Sequence, residues 1–303
     1  MTIICIVGPT AVGKTKLSIE LARELNGEII SGDSMQIYRG MDIGTAKASL
    51  EERCGILHHL IDEKNPDEAY SVAEFQQTVR AKIAEITDRG KLPILVGGTG
   101  LYIKSVIYDY EFSKEAQTPP TVQRVYEHLT NEQLHSQLRQ IDENAALEIH
   151  PNNRKRVIRA LEIFKESGVK KSELIKRQQH QLFYDVKLIG LTDDREALYE
   201  RINQRVDKML EMGLIEEVRG LYDRQIPKEA QAIRAIGYKE VYDYLEGLIT
   251  LEECRELVKR NSRRYAKRQY TWFRNQMEVN WFKIDTHHFD KTISEIKDYI
   301  IKS

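Results

Sequence analysis

The sequence predicts an α/β protein: a doubly wound parallel sheet core, a mainly helical insertion and a helical C-terminal part. Three observations predict it. Short apolar runs alternate with helical patterning before Thr118, the signature of strand–helix–strand units. After Pro119-Pro120 come roughly 60 residues with helical periodicity and no convincing strand. The strand pattern then returns at Val186-Lys187-Leu188-Ile189 and is followed by several helices. At roughly 150 residues per domain, 303 residues suit two domains or one domain with a large insertion. The boundaries read as 1–117 for the first part of the core, 118–183 for the insertion and 184–303 for the completion of the core.

Ile3-Ile4-Cys5-Ile6-Val7 is a buried strand, Gly8 to Gly13 breaks it, and Leu17, Leu21 and Leu25 recur with a helical period that Gly27 should end. A second strand, Glu28 to Ser31, leads through Gly32-Asp33 into a polar stretch ending near Lys47, which reads as a loop. Ser71-Val72-Ala73-Glu74 has the capping-box pattern and opens a helix through Val79, Ile83 and Ile86. Leu92 to Val96 is a third buried strand, ending at Gly97-Gly98-Thr99. A second capping box, Thr250-Leu251-Glu252-Glu253, opens the longest helix, which reaches Arg274. A short strand, Val279 to Ile284, and a last helix close the chain.

Composition excludes several classes. With 41% hydrophobic and 31% charged residues the chain can bury a sizeable core, and a formal charge of −1 excludes basicity spread over the whole surface. Cys5, Cys54 and Cys254 form no CxxC pair, against a disulfide framework or structural zinc. The apolar run Ile3 to Val7 is too short for a membrane span or signal segment. These observations point to a cytoplasmic protein.

Gly8-Pro9-Thr10-Ala11-Val12-Gly13-Lys14-Thr15 fits GxxxxGK[ST], between a strand and a helix as a nucleotide-binding P-loop requires. Backbone N–H groups and the helix N-terminus cradle phosphate, Lys14 neutralises it, and the Thr15 hydroxyl can ligate Mg²⁺. A bare glycine turn would not need the Lys-Thr pair. Nucleotide hydrolases usually hold the metal with a second acid after a hydrophobic strand. Leu92–Val96 ends without a carboxylate, which weakens a motor or switch NTPase reading. Asp33 and Thr99 instead follow strand ends, where ligands of doubly wound sheets collect. Asp33 there could be a general base, or a turn residue or outer metal ligand; Thr99 could contact substrate or cap a helix at Leu101.

The charge is segregated. Residues 255–274 carry eight Lys or Arg against Glu256, a net +7, and residues 154–177 carry nine against three glutamates, a net +6, leaving −14 elsewhere. Arg260, Arg263, Arg264, Lys267 and Arg268 fall on one helical stripe, with Tyr270, Trp272 and Phe273 beyond it. The stripe suits nucleic-acid phosphates and an exposed base, whereas the usual fate of such runs is a solvated face and the aromatics could be packing anchors. His58-His59 has no evident third partner for a metal, so core or surface roles are favoured.

Gly8–Thr15, Asp33-Ser34-Met35-Gln36-Ile37-Tyr38, Gly40–Lys47 and Val96-Gly97-Gly98-Thr99 together resemble the bacterial tRNA dimethylallyltransferases. The likeness continues through Arg156–Leu161, Ile236-Gly237-Tyr238 and Lys267–Arg274, nearly the whole chain. The resemblance implies transfer of a dimethylallyl group from dimethylallyl diphosphate to the exocyclic amine of the tRNA adenosine immediately 3′ of the anticodon. It further implies that Gly8, Thr10, Ala11, Val12, Gly13, Lys14 and Thr15 hold the diphosphate with Mg²⁺, and that Asp33 and Thr99 handle the acceptor amine. By the same resemblance, tRNA contacts fall on Asp33, Ser34, Met35, Gln36 and Thr99, on Lys155, Arg156, Val157, Ile158 and Arg159 of the insertion, and on Arg234, Gly237, Tyr238, Lys239, Arg263, Arg264, Lys267, Arg268 and Arg274. After the Pro pair, Gln123-Arg124 stands where the family often has an Arg, so either residue could fill that role. A cytoplasmic monomer without a membrane partner is expected. The rival readings are a P-loop nucleotide or small-molecule kinase, an isopentenyltransferase acting on free adenylate, and a non-enzymatic tRNA-binding adaptor.

Overall fold

Five apolar runs and the histidine pair become six parallel strands. The computed structural model describes residues 1–110, 112, 125–177 and 181–302. In chain order the first elements are β1 (Thr2–Val7), α1 (Lys14–Glu24), β2 (Gly27–Ser31), β3 (His58–His59), α2 (Val72–Asp88), β4 (Leu92–Gly97) and α3 (Gly100–Ile107). Four helices follow: α4 (Asn131–Ile141), α5 (Glu143–Glu148), α6 (Arg154–Ser167) and α7 (Lys171–Arg177). The chain ends with β5 (Asp185–Thr192), α8 (Arg195–Glu211), α9 (Leu214–Asp223), α10 (Tyr238–Leu245), α11 (Leu251–Gln276), β6 (Asn280–Lys283) and α12 (Phe289–Lys302).

The strand order is β3-β2-β4-β1-β5-β6 and every pairing is parallel. A parallel sheet covered on both faces needs continuous apolar strands, which is why Ile3 to Val7, each no more than 1% exposed, show no alternation. Val7 stands in register with Gly97 on one side and Gly190 on the other. The carboxyl ends of the central strands therefore share one edge, and connections diverge around β1, to β2 and β4 on one side and β5 and β6 on the other. The loops after β1, β2 and β4 all emerge there.

Local signals mostly act as read. Ser71 Oγ accepts from Glu74 N–H to start α2, and Thr250 and Glu253 cap α11 reciprocally. Gly27 does not end α1: the helix stops at Glu24, Asn26 takes the left-handed conformation (φ 51°), and Gly27 opens β2. A Cβ at Gly27 would lie 2.9 Å from Leu92 O, so glycine serves the close approach of β2 and β4.

The described residues fall into two compact units, 1–107 with 184–303, and 108–183. The second begins at Tyr108, ahead of the Thr118 expected from the proline pair. Gln123 and Arg124 lie outside the described residues. This unit has its own core of Leu134, Leu138, Val157, Ala160 and Leu161. Asp142 joins its helices, accepting from Ala145 N–H of α5 and from the Ser172 N–H and hydroxyl of α7. Its ends meet: Tyr108 bridges Leu182 in antiparallel fashion, and Asp109 N–H donates to Gln181 O.

Near the amino-terminal end of β2, Glu28 is buried (1% exposed) beneath His59 Nε2 (2.7 Å), Arg89 Nη2 (2.6 Å) and Lys91 Nζ (3.2 Å). Burial alone would raise its pKa, but the hydrogen bonds from His59, Arg89 and Lys91 outweigh it and bring the carboxyl down to about 2. His59 thus serves the hydrogen-bonded cluster around Glu28 at the edge strand, and His58 Nδ1 lies 2.9 Å from Ile56 O. Among the described residues no three His, Cys, Asp or Glu side chains could hold a metal ion. A depressed carboxyl pKa stabilises the fold above the unfolded value and loses that contribution as pH falls through the folded one. Urea denaturation should find Glu28→Gln less stable than the parent by about 2–3 kcal/mol at pH 7. The gap should shrink as pH falls from about 4.5 toward 2.

Candidate active site

The loop after β1 is shaped by backbone that only certain residues tolerate. Gly8 has φ 142° and packs so closely that a Cβ would lie 2.7 Å from Leu191 O. Gly13 (φ 95°) precedes the first residue of α1, and Ala11 holds φ 63° despite its side chain. Arg201 of α8 supports that conformation, its Nε donating to Ala11 O at 3.1 Å while Nη1 pairs with Asp193 at 2.6 Å. Lys14 Nζ donates to Gly8 O (3.0 Å) and Pro9 O (2.6 Å), so the loop folds over its own ammonium group. Enclosure by the cavity walls, then the nearby Arg205 charge, lower Lys14 to about 7, with Asp33 opposing. An anionic ligand seated in the loop would hold that amine in its charged form.

Asp33 is a turn residue that also faces a cavity. Its Oδ1 accepts from Met35 N–H at 2.9 Å, an aspartate turn, and its carboxyl lines a cavity shared with Lys14. Enclosure raises its pKa, outweighing the backbone hydrogen bonds and the attraction of Lys14. The Thr99 carbonyl accepts from Ile103 N–H at the start of α3, but its hydroxyl crosses to Ser34, accepting from Ser34 N–H at 3.3 Å and lying 3.4 Å from Ser34 Oγ. Thr99 therefore braces the loop that carries Asp33.

Two cavities open at this edge, of about 460 and 330 Å³. The first is lined by the P-loop from Thr10 to Thr15, with Ile29, Gln36, His58 and Val96. The second is lined by Ser34 and Met35, by Arg234 and Gly237, by Val206 and Met209 of α8, and by Arg268 of α11. Thr10, Asp33, Thr45, Ala46, Arg205 and Tyr265 line both, so Asp33 stands where they meet.

Three residues build this junction in roles that the sequence reading does not give them. Arg205 reaches from α8 to within 3.5 Å of the Thr10 hydroxyl. Gln269, buried on α11, accepts from Thr10 N–H (2.9 Å) and donates to Gly98 O (3.0 Å), tying the P-loop to the loop after β4. Tyr265 lies beside Asp33, and burial pushes its hydroxyl up to about 12, leaving it a proton-bearing donor at neutral pH. The spacing of four between Arg201 and Arg205 on an amphipathic helix is the signal that could have found the pair. Gln269 lies inside the Lys267–Arg274 motif, whose resemblance points to tRNA rather than to the P-loop.

Several expected tRNA contacts are placed elsewhere. Tyr238 is wholly buried with its hydroxyl on Glu217, and Val157 is wholly buried in the second unit's core, against which Ile158 also packs. Arg263 leaves the basic stripe to bond Asn203, whereas Arg260, Arg264, Lys267 and Arg268 are exposed. Tyr270, Trp272 and Phe273 are packing residues: Tyr270 meets Trp281, Phe273 is fully buried, and the Trp272 ring covers Gly100 so closely that a Cβ there would lie 2.1 Å from it. Arg274 lies over the rings of Tyr270 and Trp281. Lys155, Arg156 and Lys239 are exposed, and Arg159 approaches Glu162 and Glu166.

A P-loop that meets a second cavity at a carboxyl group, with no acid after β4, marks a P-loop transferase rather than a nucleotide hydrolase. The chain belongs to the IPP transferase family, whose sequence profile matches residues 36–276. It is 58% identical over 299 residues to the tRNA dimethylallyltransferase of Anoxybacillus flavithermus, covering 98% of this chain and 96% of that one. It is 59% identical to the Bacillus anthracis tRNA dimethylallyltransferase, covering 97% and 94%. Among solved structures, the tRNA isopentenylpyrophosphate transferase of Bacillus halodurans superposes with a TM-score of 0.75 at 51% identity, covering 99% and 96% of the two chains. A eukaryotic dimethylallyltransferase acting on tRNA superposes with a TM-score of 0.87 at 32% identity, covering 99% of this chain and 80% of that one.

Because Gln269 satisfies one donor and one acceptor on two different loops, Gln269→Leu leaves both unpaired. It should lower stability by roughly 1–3 kcal/mol in denaturant titration. Calorimetric titration with inorganic pyrophosphate, a probe of the P-loop, should also show weakened binding. Asn275→Ala, at an exposed position near the end of α11, touches neither loop and should leave both quantities close to the parent's.

Proposed function

We propose that the first cavity binds dimethylallyl diphosphate and that the second receives the tRNA adenosine immediately 3′ of the anticodon, extruded from its loop. The family and its tRNA-modifying relatives carry the overall reaction, transfer of a dimethylallyl group to tRNA. The observation that carries the residue assignment is the pair of cavities meeting at Asp33, with the P-loop on one side and Arg234 and Arg268 on the other. A base inside a stacked loop cannot reach a pocket beside the sheet, so extrusion is required.

In this reading the P-loop N–H groups and Lys14 hold the diphosphate, and Arg205 meets it from α8. As the allylic C–O bond breaks, the electron pair leaves with diphosphate and the carbon becomes electron-poor. The adenine amine, a weak nucleophile because its lone pair is delocalised into the ring, bonds to that carbon. Its excess proton passes to Asp33, whose raised pKa suits it to accept one. Thr99 keeps Asp33 in place through Ser34. Thr15 lines the first cavity next to Lys14, and its oxygen fits a hard cation, so it would hold Mg²⁺ together with substrate oxygens. That ion supplies further neutralisation of the leaving group.

The three cysteines are unpaired, which supports a reducing, cytoplasmic setting. Among the described residues no helix is long and apolar enough to cross a membrane. The exposed Lys155 and Arg156 of the second unit, and the exposed face of α11, are proposed to meet tRNA phosphates.

Purified protein with Mg²⁺, labelled dimethylallyl diphosphate or ATP, and unmodified tRNA or AMP separates the readings. Prenyl transfer to tRNA is expected, and phosphate transfer from ATP without prenyl transfer would overturn the assignment. Asp33→Ala should lose about two to four decades of turnover and largely keep tRNA affinity. Replacing Arg264, Lys267 and Arg268 by Gln should weaken tRNA binding and reduce its salt slope by up to about one unit per lost phosphate contact. Arg263→Gln should change that slope little, because Arg263 is engaged with Asn203.

A further inference from the structure

The loop between β2 and β3 is held by one carboxylate from a distant helix. Glu217 of α9 accepts from three successive backbone N–H groups, Asp42 (2.8 Å), Ile43 (2.7 Å) and Gly44 (3.1 Å), and from the Tyr238 hydroxyl (2.6 Å). Gly44 lies against the Tyr238 ring so closely that a Cβ would fall 2.5 Å from it. Consecutive N–H groups converging on one anion make a directional anchor, and charged hydrogen bonds of this kind are the strong ones.

What the anchor holds gives it a function. Thr45 and Ala46, next along the loop, line both cavities, and Gly237, next to Tyr238, lines the second. The P-loop is secured separately, by Gln269 and Arg201. We propose that Glu217 and Tyr238 form a positioning clamp that joins two walls of the acceptor cavity, the 42–46 loop and the 234–237 segment, and so sets how the acceptor base is seated. The clamp acts through those walls and touches no reacting atom. This deepens the proposed function and rests on its placement of the acceptor in the second cavity.

Steady-state kinetics on the full chain with E217Q and Y238F tests it. E217Q keeps the shape but turns an amide donor toward the N–H groups; Y238F removes only the hydroxyl and leaves the ring on Gly44. Both should raise the KM for tRNA by about fivefold or more and lower kcat, with a smaller rise in the KM for dimethylallyl diphosphate, whose cavity Thr45 and Ala46 also line. Amide exchange at Asp42, Ile43 and Gly44 should quicken by about tenfold in E217Q. Equal rises in both KM values, an unchanged KM for tRNA, or unchanged exchange would each overturn the clamp. A parent protein that transfers no prenyl group counts against the proposed function instead, and the exchange measurement still decides whether the anchor exists.

Discussion

The Gln269 side-chain amide is the constraint on which the site depends. One buried residue satisfies Thr10 N–H and Gly98 O, groups on two loops that leave different strands. Buried backbone groups must find partners, and here a single helix supplies both at once. The spacing between the phosphate cradle and the loop after β4 is thereby fixed by the length of one amide. Thr99, next to Gly98, then passes that position to Ser34 and the loop carrying Asp33. Replacing water by fixed dipoles in this way lets an active site meet developing charge without reorganising.

The sheet makes this economical. Parallel register brings Val7, Gly97 and Gly190 level, so every loop at that edge starts from the same height. Small residues at the edge let side chains from α11 and β6 come close: Gln269 packs on Gly98, Trp272 covers Gly100, and Trp281 packs on Gly190. The loops are thus placed by packing as well as by hydrogen bonds. The Glu28 cluster lies toward the amino-terminal end of the strands, away from the loop that carries Asp33.

Much of the fold was legible because its signals are local. Apolar runs, two capping boxes and the GxxxxGK[ST] spacing each act within about a dozen residues of chain. The junction was less legible because its partners are far apart: Thr10 meets Gln269, Arg201 meets Ala11, and Glu217 meets Asp42 to Gly44. Residue type alone was also an uncertain guide to side-chain direction. Val157 and Tyr238 lie inside motifs associated with tRNA yet are turned into cores, and Arg263 sits on a basic stripe yet faces α8. The aromatics beyond that stripe are anchors for packing, as their apolar area favours.

The meeting of Tyr108 with Leu182 has a consequence for how such a chain can change. A segment whose two ends are already paired imposes on its host only the closure of a short connection, whatever its own length. With its separate core, the 108–183 unit is therefore a module that can be lengthened, shortened or recast while the sheet keeps its register. Evolution can retune one part of the molecule without renegotiating the other.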